Sequence, residues 1–493
     1  MRSTIKIVIL LFFICTSMSG ASFPDMEKYM RQHALIWEQL PMQWNEGAFL
    51  GNGLVGMMVY ADSTLNALVF HLGRPDVTDH RKAPYRKTSI GTEEADKMVD
   101  FCRLDVGKML LFPEGKILSG TFYLDIYNAE LTGHLKTDKG DLTFHAYTPQ
   151  PEEVNIVEVS SGVPYRWKGI PGNPCSPRIR VFPHLKEKLK YKDNPAPVVN
   201  QKDKEGSWVQ SLLAGGDYAT YWKEVPGGKS RSVLYVSTAN EVPASSLSLA
   251  KAMKTVEATQ ITGTKLLKQK TRQWWNAYHE RSFLSIPDKK LENFYFIQMY
   301  KLATCSHPDG PAMDVMGTFF KLSPWPSFWW NLNIQLTYMP IGPANRMEQG
   351  KNFQRLMDEV FPSLVRSIEP CKIGDYTWAL QNYYMYLRYA GADWQDIKQQ
   401  VVPKALDAFA VFDKILCYKE NTWHLTHIES PEYEGFQKYN DSNYGLASLS
   451  WLLQTLIACH DRTSSTHPDY ARWKEILTRL APYPTCLLYT SPS

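Results

Sequence analysis

The chain has 493 residues, with 54 Lys and Arg against 50 Asp and Glu and a formal charge of +4. That length exceeds one ordinary domain and allows two or three, each with its own core, while the near balance of charge removes the electrostatic case for a nucleic-acid partner. Eight cysteines without a C-x-x-C pair argue against a zinc cage and against a dense disulfide framework, leaving buried thiols or one or two bridges.

At the start, Arg2 and Lys6 precede an apolar stretch from Ile7 to Ile14, and Ser19-Gly20-Ala21 follows. A positive segment, a short apolar run and small residues read as a secretory signal peptide over residues 1–21. No later stretch approaches the roughly 20 apolar residues of a membrane helix. No membrane partner is therefore expected after cleavage, and the expected location is periplasmic or extracellular.

From Trp37 to about Val242, short alternating runs such as Gly56-Met57-Met58-Val59-Tyr60 are broken by Gly, Pro and Asn. The pattern predicts an antiparallel β-sandwich over 22–245. Residues 246–286 change to helical periodicity and read as a linker. Beyond Pro287 nearly everything is predicted helical: Leu291 to Cys305, Arg346 to Ile368, Trp378 to Tyr389, Trp394 to Leu416, Tyr444 to His460 and Tyr470 to Leu480, with loops at Pro308-Asp309-Gly310-Pro311 and around Asn421. The expected architecture is multidomain β plus α: a sandwich, a helical linker, and an incomplete (α/α)6 toroid over 287–484. Such a toroid needs about twelve helices of ordinary length, and about seven are countable. Residues 485–493 have no helical period and look like translated sequencing-adapter DNA, so they are expected to be non-native.

Aromatic residues reach 13%, with 15 Trp. A large core accounts for this, and so does carbohydrate binding, because sugar C–H faces lie flat on aromatic rings. Two segments of the helical half carry candidate chemistry. In Trp329-Trp330-Asn331-Leu332-Asn333, an extended backbone would turn Asn331 and Asn333 to one side, where two carboxamides can fix a water; the alternative is that Asn331 only caps the next helix. In His427-Ile428-Glu429-Ser430-Pro431-Glu432, Pro431 stiffens the turn and can present Glu432 as an acid, or the segment is simply a solvated acidic loop. His424 and His427 lack the H-E-x-x-H spacing, so neither a metal nor another cofactor is expected. The turn Asp76-Val77-Thr78-Asp79-His80-Arg81 either reaches a cleft or closes on itself through ion pairs.

Trp330 to Pro340 resembles the Asn-Ile-Asn-x-x-x-Asn-Tyr-Trp-Pro signature of glycoside hydrolase family 95, the inverting α-L-fucosidases, and Ser430-Pro431-Glu432 resembles that family's Ser-Pro-Glu. Gly51-Asn52-Gly53-Leu54-Val55-Gly56 is similar to its Gly-Asn-Gly-x-x-Gly stretch, and Trp378-Ala379-Leu380-Gln381 to the helix after its asparagine loop. The resemblance implies an exo-acting hydrolase of oligosaccharides or polysaccharides. Glu432 would be the general acid, Asn331 and Asn333 would position the water, and an aspartate base would lie near a His-Arg-His-x-Ser-His-Leu segment that this chain lacks. The fragment is therefore expected to be inactive. Trp329, Trp330, Tyr338, Trp378, Asn382 and His427 are the expected substrate-binding residues. Thr337 and Met339 depart from the signature, as do Asn382 and Tyr386 where the family carries histidine, which puts the fucose subsite in question. A polysaccharide lyase using Tyr338, His427 or Arg81, and a non-catalytic glycan-binding protein, are the alternatives.

Overall fold

A computed structural model describes residues 25–81, 96–242, 247–429 and 437–484. The expected signal peptide, the expected tail and Glu432 lie outside these residues. Nine strands form one antiparallel sheet in the order Leu35–Trp37, Ile117–Asp125, Glu130–Thr137, Gly140–Tyr147, Val154–Ser161, Arg231–Glu241, Asp217–Gly228, Glu205–Ser211, Val198–Gln201. Five more form a second antiparallel sheet in the order Tyr165–Ile170, Lys108–Pro113, Ala67–Gly73, Gly56–Asp62, Ala48–Gly51. Phe70 of the small sheet meets Phe144 of the large one edge-on at 5.4 Å, within a shared core.

Ala67–Gly73 is buried along its whole length, because its second face is covered as well. The cover is the segment after the Lys289–Cys305 helix: Phe320 lies 5.8 Å from the His71 ring, and a Cβ on Gly73 would fall 1.9 Å from the Thr318 carbonyl oxygen. Gly53 (φ +82°) has the same purpose, letting the backbone of Ser306 and His307 come where a side chain would stand. The Gly-Asn-Gly stretch is thus a docking surface for the helical half. Asn52 locks it by donating to the carbonyls of Pro149 and Glu152 and accepting from the N–H groups of Leu54 and Val55. Arg103 ties the same seam, pairing with Asp314 at 3.1 Å and donating to the Gly317 carbonyl at 2.6 Å.

Helices Ser248–Thr262 and Thr264–Glu280 connect the halves, and the second packs Trp275 and Tyr278 into the sheet core. The predicted helix from Arg346 to Ile368 is three pieces, Met347–Gly350, Lys351–Glu359 and Phe361–Ser367, and that from Trp394 to Leu416 divides at Val401. Pro362 and Pro403 explain the breaks at Val360 and Val401, since proline suits only a first turn. The expected loop around Asn421 is a hairpin, Leu416–Lys419 paired with Thr422–Leu425, turning on Glu420 and Asn421, both at positive φ (51° and 65°).

Two long helices, Ile373–Tyr389 and Asn443–Thr463, lie side by side. Gly374 sits against the Tyr444 ring near their starts, and Tyr384 meets Trp451 at 6.0 Å further along. Both numberings rise together, so the helices run parallel with their N-termini at one end. The return path holds helices Trp394–Gln400 and Val402–Phe412 and the hairpin, and the whole half shares one core. Among the described residues all six cysteines are free, and no helix is long and apolar enough to cross a membrane.

Candidate active site

The asparagine segment is not extended. Asn331 and Leu332 both take positive φ (65° and 64°), and Asn333 opens the helix Asn333–Tyr338. Asn331 does not cap that helix either: the N-cap is Leu332, without a side-chain bond. In a helical turn, side chains two apart diverge instead of aligning. Asn331 is accordingly 2% exposed, its Nδ2 without a hydrogen-bond partner among the described residues. Asn333 instead is exposed and lines a cleft of about 1080 Å³ between Trp44 and Phe49 of the sheet domain and the Lys289–Cys305 helix. The expected pair of amides facing one water is not formed.

The flanking aromatics are packing residues. Trp329 lies in a cluster with Met98 and Phe101 and against Trp325, while Trp330 turns the other way onto Phe328 and Tyr376. Tyr338 is buried: its hydroxyl accepts from the Met313 N–H at 2.7 Å and donates to Asn352 Oδ1 at 3.0 Å, with its ring stacked on Phe353. None of the three offers an open face to a sugar. Asn382 is also buried, donating to the Gln335 carbonyl at 3.2 Å. His427 is exposed between the strands Thr422–Leu425 and Ile428–Glu429, at φ 55°. Trp378, half-buried, does border open space, a groove of about 250 Å³ shared with Gln381, Tyr444, Ser448 and Trp451.

The turn at Asp76 to Arg81 closes on itself. Asp79, fully buried, pairs with Arg81 at 2.8 Å and accepts from Tyr191 and Asn194, both at 3.0 Å. Arg81 also covers the Tyr191 ring, so neither charge is offered to a cleft.

The residue that the sequence reading missed is Asp375. It sits in the first turn of Ile373–Tyr389, 6% exposed, and accepts the Tyr444 hydroxyl at 2.6 Å. Burial pushes its carboxyl up to about 7, against the lowering effect of the Tyr444 bond; the nearby charge of Glu429 adds to the rise and Lys372 opposes it. Glu429, in the short strand Ile428–Glu429, is raised by burial too, with Lys372 and Lys438 opposing. A signal was available: Asp375 lies on the stripe that continues through Ala379 and Asn382, a charge where the helix turns inward. The predicted helix began at Trp378 and left that turn out.

Three chain segments therefore meet at one end of the parallel helices. Gln335, from the asparagine helix, donates to the Asp375 carbonyl at 2.9 Å; Asp375 binds Tyr444; and Glu429, whose charge acts on Asp375, leads directly into Ser430-Pro431-Glu432. Chemically this end holds one carboxyl that gives up its proton only at about pH 7 beside a second that is harder to ionise than usual.

No family model and no curated protein sequence matches the chain. Solved structures do. A protein assigned as a kojibiose phosphorylase, from the human microbiome, is similar with a TM-score of 0.56 at 10% identity, over 88% of this chain and 66% of that one. A bacterial glucoamylase complexed with acarbose gives a TM-score of 0.49 at 9% identity, over 90% of this chain and 69% of the other. A family GH92 α-mannosidase from Bacteroides thetaiotaomicron gives 0.31 at 8%, over 83% and 69%. At such identities the first likeness establishes shared architecture, and this chain spans about two thirds of that protein's length (66%).

Proposed function

We propose that this protein is a secreted glycoside hydrolase acting on glycans in the periplasm or outside the cell. Its helical half would belong to an (α/α)6 toroid, and Glu432 would serve as the general acid. The observation that carries the reading is the meeting of the asparagine helix, the Asp375–Tyr444 pair and the strand leading into Ser-Pro-Glu at one end of two parallel helices. Parallel neighbours joined by an outer return are what a toroid of helical pairs requires. The fold likeness to a protein assigned as a kojibiose phosphorylase supports action on a glycosidic bond. The α-L-fucoside preference rests on the family 95 resemblance. No residue of this chain is assigned as the base, and the two-amide water cradle has no part in the proposal.

The test uses the protein expressed from its genomic reading frame. Glu432→Gln should lower turnover of a nitrophenyl α-L-fucoside about 10²- to 10⁴-fold, the usual share of general acid work. An unchanged rate removes Glu432 from the mechanism. Release of fucose 1-phosphate only when inorganic phosphate is added would replace hydrolysis by phosphorolysis.

A further inference from the structure

The groove between Ile373–Tyr389 and Asn443–Thr463 is separate from the buried carboxyl pair, although Tyr444 borders both. Because the helices are parallel, Thr377, Trp378 and Gln381 on one run beside Tyr444, Ala447, Ser448 and Trp451 on the other. Its volume of about 250 Å³ suits one monosaccharide with a little water. Ala447, exposed and small, also lines the groove.

The polar groups are arranged for a ligand rich in hydroxyls. Ser448, half-buried, donates its proton to the carbonyl of Tyr444, so its oxygen remains as an acceptor. Among the described residues, the Gln381 amide and the indole N–H groups of Trp378 and Trp451 have no hydrogen-bond partner, and none of the three residues is buried. Trp451, half-buried, meets Tyr384 edge-on (6.0 Å, 71°). Among the described residues lining the groove, none is Lys, Arg, Asp or Glu. Flat apolar faces with neutral donors and acceptors match a pyranose, whereas a uronate or a sugar phosphate would find no counter-charge.

We propose that this groove is a subsite for one neutral pyranose ring, stacked on Trp451 and Trp378 and hydrogen-bonded by Gln381. The proposal deepens the glycan-active reading and rests on it. Substrate would then run from the buried-acid end along the helix pair, with Trp451 setting how the sugar in the groove is oriented.

The test is titration with L-fucose, D-glucose and D-glucuronate to tens of millimolar, followed by calorimetry and tryptophan fluorescence. One neutral sugar should bind. Glucuronate should bind at least about tenfold more weakly, and Trp451→Ala should lower neutral-sugar affinity about tenfold, as loss of a stacking contact does. Ala447→Phe, at an exposed position, should fill the groove and abolish binding without changing the melting temperature by more than a degree or two. Absence of neutral-sugar binding, or affinity unchanged in both variants, overturns the subsite. The two proposals separate cleanly: binding lost in Ala447→Phe while the parent protein cleaves no glycoside keeps the groove and discards the hydrolase. Cleavage that depends on Glu432 but is indifferent to Ala447→Phe and Trp451→Ala does the reverse.

Discussion

Tyr444 gives its hydroxyl proton to Asp375 across 2.6 Å, fastening together the first turns of two parallel helices. A protonated acid would not need such a donor, so the bond matters when Asp375 ionises, and it holds the carboxyl lower than burial alone would leave it.

The sign of the pH effect follows. Asp375 keeps its proton to about 7 in the folded protein, against 3.8 for a free aspartate, so between these values the unfolded chain has released a proton that the native state retains. Its contribution to stability is complete below about 4 and falls by at most about 1.4 kcal/mol per pH unit until it levels near 7. Asp375→Asn should flatten that slope in urea titrations at a series of pH values. Tyr444→Phe should extend it to higher pH, since the lowering bond is gone.

Gly374→Ala should be destabilising by about 1–3 kcal/mol, because the new Cβ would lie 2.4 Å from Tyr444 Cε1 and neither helix start can move freely. Thermal unfolding checks this, and the variant's pH profile should shift as that of Tyr444→Phe does.

The extent to which this site was legible depends on what each residue answers to. The strand alternation and the change to helical period after Val242 are local signals, and the sheets and helices that follow from them are present. The N-x-N geometry is not local: whether Asn331 and Asn333 align depends on where the helix begins, and two successive residues at positive φ move that start to Asn333. The tryptophans misled for a similar reason. Trp329 and Trp330 are large enough to serve either as platforms or as core, and only the neighbours, Met98 on one side and Tyr376 on the other, make them core. Asp375 and Tyr444 stand 69 positions apart, and no spacing rule connects them.

Arg103 should be the most sensitive single position of the seam between the halves. It is 1% exposed, and Arg103→Met leaves Asp314 and the Gly317 carbonyl without their partner, at a cost of about 3–5 kcal/mol. Denaturant unfolding should show a lower midpoint.

Tyr338→Phe separates packing from recognition. Removing the hydroxyl strands the Met313 N–H and Asn352 Oδ1 and should lower stability by about 1–3 kcal/mol. Sugar affinity should be untouched, and a loss of binding at unchanged stability would return Tyr338 to the list of ligand contacts.

The parallel pairing of Ile373–Tyr389 with Asn443–Thr463 also has a kinetic side. A hairpin of antiparallel helices can zip from its turn, but these two meet only after the intervening chain has gone out and come back, so their joining closes a loop of some 70 positions before any bond such as Tyr444 to Asp375 rewards it. The acid end is thus assembled from parts that nucleate apart. A protease cut at the exposed hairpin tip Glu420-Asn421 would leave two pieces still held by the common core, yet once separated by denaturant they would have to find each other as two molecules, and recovery would become dependent on protein concentration.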